Sequence, residues 1–297
     1  VTNHRRLVAA PISWGICEVP GWGRMLDAER VLGEMAQLGI TATELGAPGF
    51  LPDDADALRV VLARHGMSLV GSFWPVVAHE PSDAVASVRE TARKLAALGG
   101  DVISLALVQD LDWSAPRELS DGQWATLGAT VAQCEAAAAQ EGVTLAIHPH
   151  EGTLVYTAEQ VERALAETSC GWCLDTGHLY LGGVDPAAFA AEHAERVVHV
   201  HLKDVDAAVA ARLNSGELSL LEAVQAGVFV PLGEGDAGVA RAIAELDRAG
   251  YSRWWVLEQD TAITGPEPAV GSGPMVAVKR SIEFIETLAP TEESVAS

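Results

Sequence analysis

The sequence predicts a single-domain (β/α)8 barrel of the α/β class. Short apolar runs alternate with helical stretches from one end of the chain to the other, and eight such pairs fit within 297 residues. That regularity means a parallel sheet, and this count in this length suits a closed barrel better than an open, doubly wound sheet. The first strand–helix junction carries no GxGxxG, so nothing supports a dinucleotide-binding crevice.

The expected strands cover residues 8–14, 42–46, 68–74, 101–107, 144–150, 171–178, 197–204 and 253–260. They are near-continuous runs of Val, Ile, Leu and Ala, the pattern of strands covered on both faces. Between them, residues 27–38 open on Asp27 and stop at Gly39. Residues 82–98 open on Ser82 and stop at Gly99-Gly100. Residues 120–141 are alanine-rich and end before Gly142. Residues 157–167 open on Thr157, and Asp185-Pro186 starts the next helix with proline at its first position. The barrel is expected over 1–290, with long segments after strand 7 (205–236) and strand 8 (261–274) and a polar tail at 291–297. Both long segments leave the C-terminal rim, where barrel enzymes keep their sites, and are expected to act as lids or substrate walls.

Apolar residues make up 49% of the chain and charged ones 20%, enough for a large core. The net charge of −22 repels nucleic acid and anionic membranes, so neither is expected as a partner. No stretch reads as a secretion signal or membrane span, which leads to the expectation of a cytoplasmic protein. Cys170 and Cys173 form a lone CxxC with no second pair to complete a zinc site, so the thiols are expected to be reduced and structural.

Four consecutive strands end in groups that bind metals. The fifth ends His148-Pro149-His150, the sixth Asp175-Thr176-Gly177-His178, the seventh His199-Val200-His201-Leu202-Lys203-Asp204 and the eighth Glu258-Gln259-Asp260. A single histidine on an apolar strand is usually a packed one, and a single Asp after a strand is usually a helix cap. Four such ends in succession at one mouth are harder to explain by packing, because each unsatisfied buried polar group costs about 1–3 kcal/mol. Side chains alternate along a strand, so His148 and His150 share a face, as do His199 and His201, and spacing leaves open which of the first pair binds a metal.

The motifs Asp175-Thr176-Gly177-His178, His201-Leu202-Lys203-Asp204 and Glu258-Gln259-Asp260, in this order on these strands, resemble the xylose isomerase-like barrels over nearly the whole chain. Within them the chain resembles the inosose dehydratases of myo-inositol catabolism, through Pro11-Ile12-Ser13-Trp14-Gly15, Glu34-Met35-Ala36 and Thr43-Glu44-Leu45-Gly46. His148-Pro149-His150-Glu151-Gly152-Thr153 and Pro231-Leu232-Gly233-Glu234-Gly235 carry the same likeness. The resemblance implies one divalent ion held by His148, Asp175, His201 and Glu258, with Mn or Co favoured and Fe or Zn compatible. It implies a small polyhydroxylated ketone as substrate and, by analogy, leaves a homo-oligomer open.

The family usually places Glu where His148 stands. With an imidazole in one of the two proton-handling positions, the pattern points away from symmetric two-carboxylate epimerisation. It points toward elimination of water, with isomerisation or epimerisation as the alternative. Glu258, His148, Glu44 and Lys203 are the expected catalytic groups. His150, His178, Trp14, Trp74 and His79 are expected to face substrate, and His199 to be structural, one layer lower. A non-catalytic sugar-binding barrel would not need the full ligand set. A metal-dependent nuclease of this fold would need a basic groove.

Overall fold

The computed structural model describes residues 5–17 and 19–288; the expected tail at 291–297 lies outside them. The strands, in chain order, are β1 Arg6–Ala9, β2 Ala42–Thr43, β3 Ser68–Leu69, β4 Gly71–Val76, β5 Val102–Leu107, β6 Thr144–Ile147, β7 Gly171–Asp175, β8 Val197–Leu202, β9 Asp204–Val205, β10 Phe229–Val230 and β11 Trp254–Leu257. Nine of them pair in the order β3-β2-β1-β11-β8-β7-β6-β5-β4. Every pairing in this sheet is parallel. Only Val70 separates β3 from β4, so the two ends of the order are two halves of one stave and the barrel comes round on itself.

The helices are α1 Ala28–Gln37, α2 Ala55–Arg64, α3 Ala84–Ala97, α4 Asp121–Gln140, α5 Ala158–Glu167, α6 Thr176–Leu181, α7 Pro186–His193, α8 Ala207–Asn214, α9 Leu220–Gln225, α10 Val239–Arg248 and α11 Pro274–Thr287. Their starts follow local chemistry. Ser120 and Thr157 form capping boxes with Gln123 and Gln160, and the Asp185 carboxylate accepts from the N–H groups of Ala187 and Ala188.

Three expected elements change at their ends. The first strand stops at Ala9 because Pro11 has no N–H for the ladder; residues Pro11–Trp14 instead form a 3₁₀ turn closed by Gly15 at φ 79°. The sixth stave stops at Asp175, whose Oδ1 accepts the His178 N–H at 2.8 Å and starts α6. The segment after the seventh stave is built rather than bare: it holds α8, α9 and the antiparallel β9–β10 pair. Asp204 ties it down, accepting backbone N–H groups from Val205, Gly233, Gly235 and Ala237 at 2.8–3.1 Å. Residues 261–273 carry no helix or strand. They are held by α1, where Arg30 donates to the carbonyls of Pro268 and Ala269 and Glu34 accepts from Gly271 N–H.

Two apolar layers follow from parallel strands wrapped in helices. The larger lies between sheet and helices. The smaller fills the lower barrel with small side chains: Val8, Ala10, Ala42, Val70, Val102, Ala146, Cys173 and Val256. Above it the barrel interior turns polar, and that is where the ionisable strand ends collect.

Candidate active site

The inward-facing side chains rise in layers set by register. Cys173 pairs with His199 and Asp175 with His201 across β7 and β8. Parallel partners point the same way, so Cys173 and His199 lie one layer below Asp175 and His201. His148 follows the end of β6, and Glu258 the end of β11.

Of the four residues expected to hold a metal, Asp175, His201 and Glu258 form one cluster and His148 joins it through Asp175. His148 Nε2 lies 3.3 Å from Asp175 Oδ2, and His201 Nδ1 lies 3.8 Å from the same oxygen. Glu258 Oε2 closes on His201 Nδ1. All four are deeply placed; His148, Asp175 and His201 are buried outright. His201 Nδ1 and Glu258 Oε2 face each other directly, and both atoms are shut away from water. Asp175, His201 and Glu258 bring ligand atoms within 4.8 Å of one another, close enough to share one metal ion. Two imidazole nitrogens and two carboxylates suit Mn, Co, Fe or Zn. The electrostatics agree. Burial pulls the His201 pKa down, yet Cys173, Glu258 and Glu44 more than offset it and hold it well above its usual value, so the surroundings favour positive charge on the ring.

A second group sits beside the first. Lys203 Nζ, fully buried, lies 2.8 Å from Asp260 Oδ1, 3.6 Å from Asp175 Oδ2 and 3.7 Å from Glu258 Oε1. It donates to His178 Nε2 at 3.1 Å. Burial disfavours its charge, but Asp175, Asp260 and Glu258 outweigh that and raise its pKa, so it stays an ammonium. Burial pushes the Asp260 carboxyl up to about 6 against the pull of Lys203. His150 leaves the cage: its ring lies 3.8 Å from that of His178, and its Nδ1–H donates to the Glu151 carbonyl at 2.6 Å. Burial, with His148 and Lys203 nearby, lowers its pKa to about 3, and His178 is lowered for similar reasons. Both rings are therefore neutral.

Several residues expected at the mouth are placed elsewhere. Glu44 is behind His201 instead of beside substrate: its Oε1 accepts from His201 Nε2 at 3.2 Å and from His199 Nε2 at 2.9 Å. The inward register just past β2 sends it across the barrel to β8. Trp14 has no exposed surface and donates its indole N–H to Glu34 on α1, so it is a core residue and offers no face to a sugar ring. Trp74 donates to Ser87 on α3 and faces outward. The reason is a slip in alternation where the third stave breaks: Val70 faces the barrel interior, and so does Phe73 three residues later. His79 is buried, with Gln109 against its Nε2 at 3.2 Å. His199 lies one layer lower, as its spacing implied.

The aromatic residues that do line the mouth were missed in the sequence. Phe73 stands edge-on to His148 and tilted to His150, both at 5.6 Å between ring centres, and stacks with Trp113. Phe229 lies over Lys203 and beside His178. Trp113 adopts φ 58°, uncommon for a bulky residue. No period-2 run marks Trp113 or Phe229, since both come from segments outside the barrel staves. Cys170 and Cys173 are free thiols, as expected; Cys173 faces inward near His148 and His201.

Comparison with known proteins follows the same lines. A curated inosose dehydratase of Geobacillus kaustophilus is 31% identical over 301 residues, covering 96% of this chain and 95% of the relative. The rhizopine catabolism protein MocC of Rhizobium meliloti is 31% identical over 277 residues, covering 86% of this chain and 81% of the relative. Among solved structures, the IOLI protein with a bound zinc atom shares the fold with a TM-score of 0.67 at 14% identity, over 94% of this chain and 96% of that one. The family model described as xylose isomerase-like TIM barrel matches residues 32–288. This chain belongs to the xylose isomerase-like TIM barrel family.

Proposed function

We propose that this chain is a divalent-metal-dependent lyase that removes water from a keto-inositol or related keto-sugar by α-proton abstraction and β-elimination. It is an enzyme of the dehydratase or isomerase/epimerase type, as are the inosose dehydratases it resembles. The observation that carries the reading is the meeting of Asp175, His201 and Glu258, whose ligand atoms lie within 4.8 Å of one another, with His148 Nε2 3.3 Å from Asp175 Oδ2. The zinc atom of the IOLI protein lends the same idea support. Manganese or cobalt fits this donor set best, with iron or zinc as substitutes.

A divalent ion in this cage would polarise the substrate carbonyl and stabilise the negative charge left by proton removal. The chain's own groups supply the rest. Glu258 Oε1 faces the Lys203 side of the cage and is placed to take the α-proton, while Oε2 faces the ion position. Lys203, kept charged by three carboxylates, donates to the departing hydroxyl. His150 uses Nδ1–H on the Glu151 carbonyl, which leaves Nε2 as an acceptor for a substrate hydroxyl. Phe73 and Trp113 offer an apolar wall to the ring face of a polyol. The substrate on this reading is a small polyhydroxylated ketone, in keeping with the inosose dehydratases the chain resembles.

The test is incubation of manganese-loaded protein with 2-keto-myo-inositol in deuterated water. Loss of one water with new near-UV absorbance supports the lyase. Solvent deuterium in a product of undiminished hydration moves the assignment to an isomerase or epimerase. Absence of any metal-dependent change across a panel of keto-inositols and keto-sugars rejects the reading.

A further inference from the structure

Behind His201 lies a buried carboxylate that the proposed reaction does not use. Glu44 is 4% exposed and sits on the far side of His201 from Asp175 and Glu258. Its Oε1 faces two ring nitrogens at once, His201 Nε2 at 3.2 Å and His199 Nε2 at 2.9 Å. The opposite edge of the His201 ring, Nδ1, is the atom aimed at Asp175 Oδ2 and Glu258 Oε2. His201 is thus held by its two edges, one toward the ligand set and one toward Glu44.

We propose that Glu44 is a positioning residue: by accepting the Nε2–H of His201 it fixes the tautomer and ring plane that present an unprotonated Nδ1 to a divalent cation. This rests on the reading that His148, Asp175, His201 and Glu258 hold such a cation. A neutral imidazole carries one proton, and a carboxylate can only accept, so the proton goes to Nε2 and the lone pair to Nδ1. His199 completes the arrangement. It stands one layer below on the same strand and shares the same oxygen, with its ring 5.0 Å from that of His201, so it keeps the Glu44 carboxylate from swinging down into the apolar floor. Glu44 touches neither ion nor substrate in this account; it acts through His201.

The experiment compares metal binding and ring tautomer. Zinc affinity of the apo-protein is measured by competition with a chelating dye for wild type, Glu44→Gln and Glu44→Met, with the melting temperature of each metal-free protein measured alongside. Long-range proton–nitrogen NMR of the histidine rings is recorded on zinc-loaded wild type. The expected result is a His201 ring protonated on Nε2 and ligated through Nδ1. Affinity should fall about 10–100-fold in Glu44→Met and recover most of the way in Glu44→Gln, which keeps an acceptor oxygen. Equal affinity in all three proteins, or a His201 ring ligated through Nε2, overturns the role of Glu44 while leaving the cation site standing. A wild type that binds no divalent ion overturns the proposed site itself. If Glu44→Met does not fold, the wild-type tautomer still decides.

Discussion

His148-Pro149-His150 and His199-Val200-His201 have the same spacing in sequence and different fates in space. On β8 the ladder continues through Leu202, so both imidazoles stay inside the barrel, one layer apart, joined through Glu44. On β6 the ladder ends at Ile147. His148 still points inward to Asp175, but His150, after a proline, leaves with the loop and lies tilted against His178. Spacing of two guarantees a shared face only while the strand lasts. On the proposed reading, the β8 pair divides a metal-facing role from a supporting one, and the β6 pair divides it from a substrate-facing one.

The largest expected effect tests the proposed ligand set itself. His201→Ala and Glu258→Gln should each lower metal affinity more than about 100-fold and abolish turnover, with the far-ultraviolet circular dichroism unchanged. Metal content measured by mass spectrometry checks this; full occupancy in both variants removes the site. Next comes the split within the β6 pair. His148→Ala should weaken metal binding about 10–100-fold, whereas His150→Ala should leave it unchanged and raise KM about tenfold, the worth of one hydrogen bond to substrate. Titration with manganese alongside steady-state kinetics separates the two, and equal loss of metal in both variants would erase the distinction.

A smaller effect compares adjacent residues of the third stave. Phe73→Leu should raise KM several-fold, the loss of about 1 kcal/mol of aromatic contact, with stability little changed. Trp74→Phe should leave kinetics alone and cost about 1 kcal/mol of stability through the lost hydrogen bond to Ser87. Denaturant unfolding and kinetics on both proteins would show whether the slip at Val70 has been read correctly. The smallest effect concerns the thiols. Burial pushes Cys134 up to about 11 and raises Cys170 and Cys173 as well. At pH 8 all three should resist iodoacetamide in the native protein and react fully in urea, as peptide mass mapping would reveal. Rapid labelling of Cys170 and Cys173 in the folded state would instead mark an accessible redox pair.

Much of the barrel was legible because its signals are local: apolar runs of strand length, and caps such as Ser120, Thr157 and Asp185 that act on the next turn. The ends of staves were less so. Pro11 shortens the first, and Asp175 turns the sixth into a helix by capping it, although each lay within a run that reads as strand. The clustering of His148, Asp175, His201 and Glu258 was legible because they end four consecutive staves. Glu44, Trp14 and Trp74 were placed at the mouth because they too end or follow strands, and position along the chain does not say which way a side chain turns.

The sequence by itself determined the alternation of strands and helices, and the stock of imidazoles and carboxylates at one rim, since both are written in periodicity and residue type. Only the tertiary structure decided where each ladder stops and where the third stave slips by one residue. It alone set which edge of the His201 ring meets Glu44, 157 positions away. These follow from closing the barrel: a side chain's neighbours across its interior come from other staves, and no local pattern contains them.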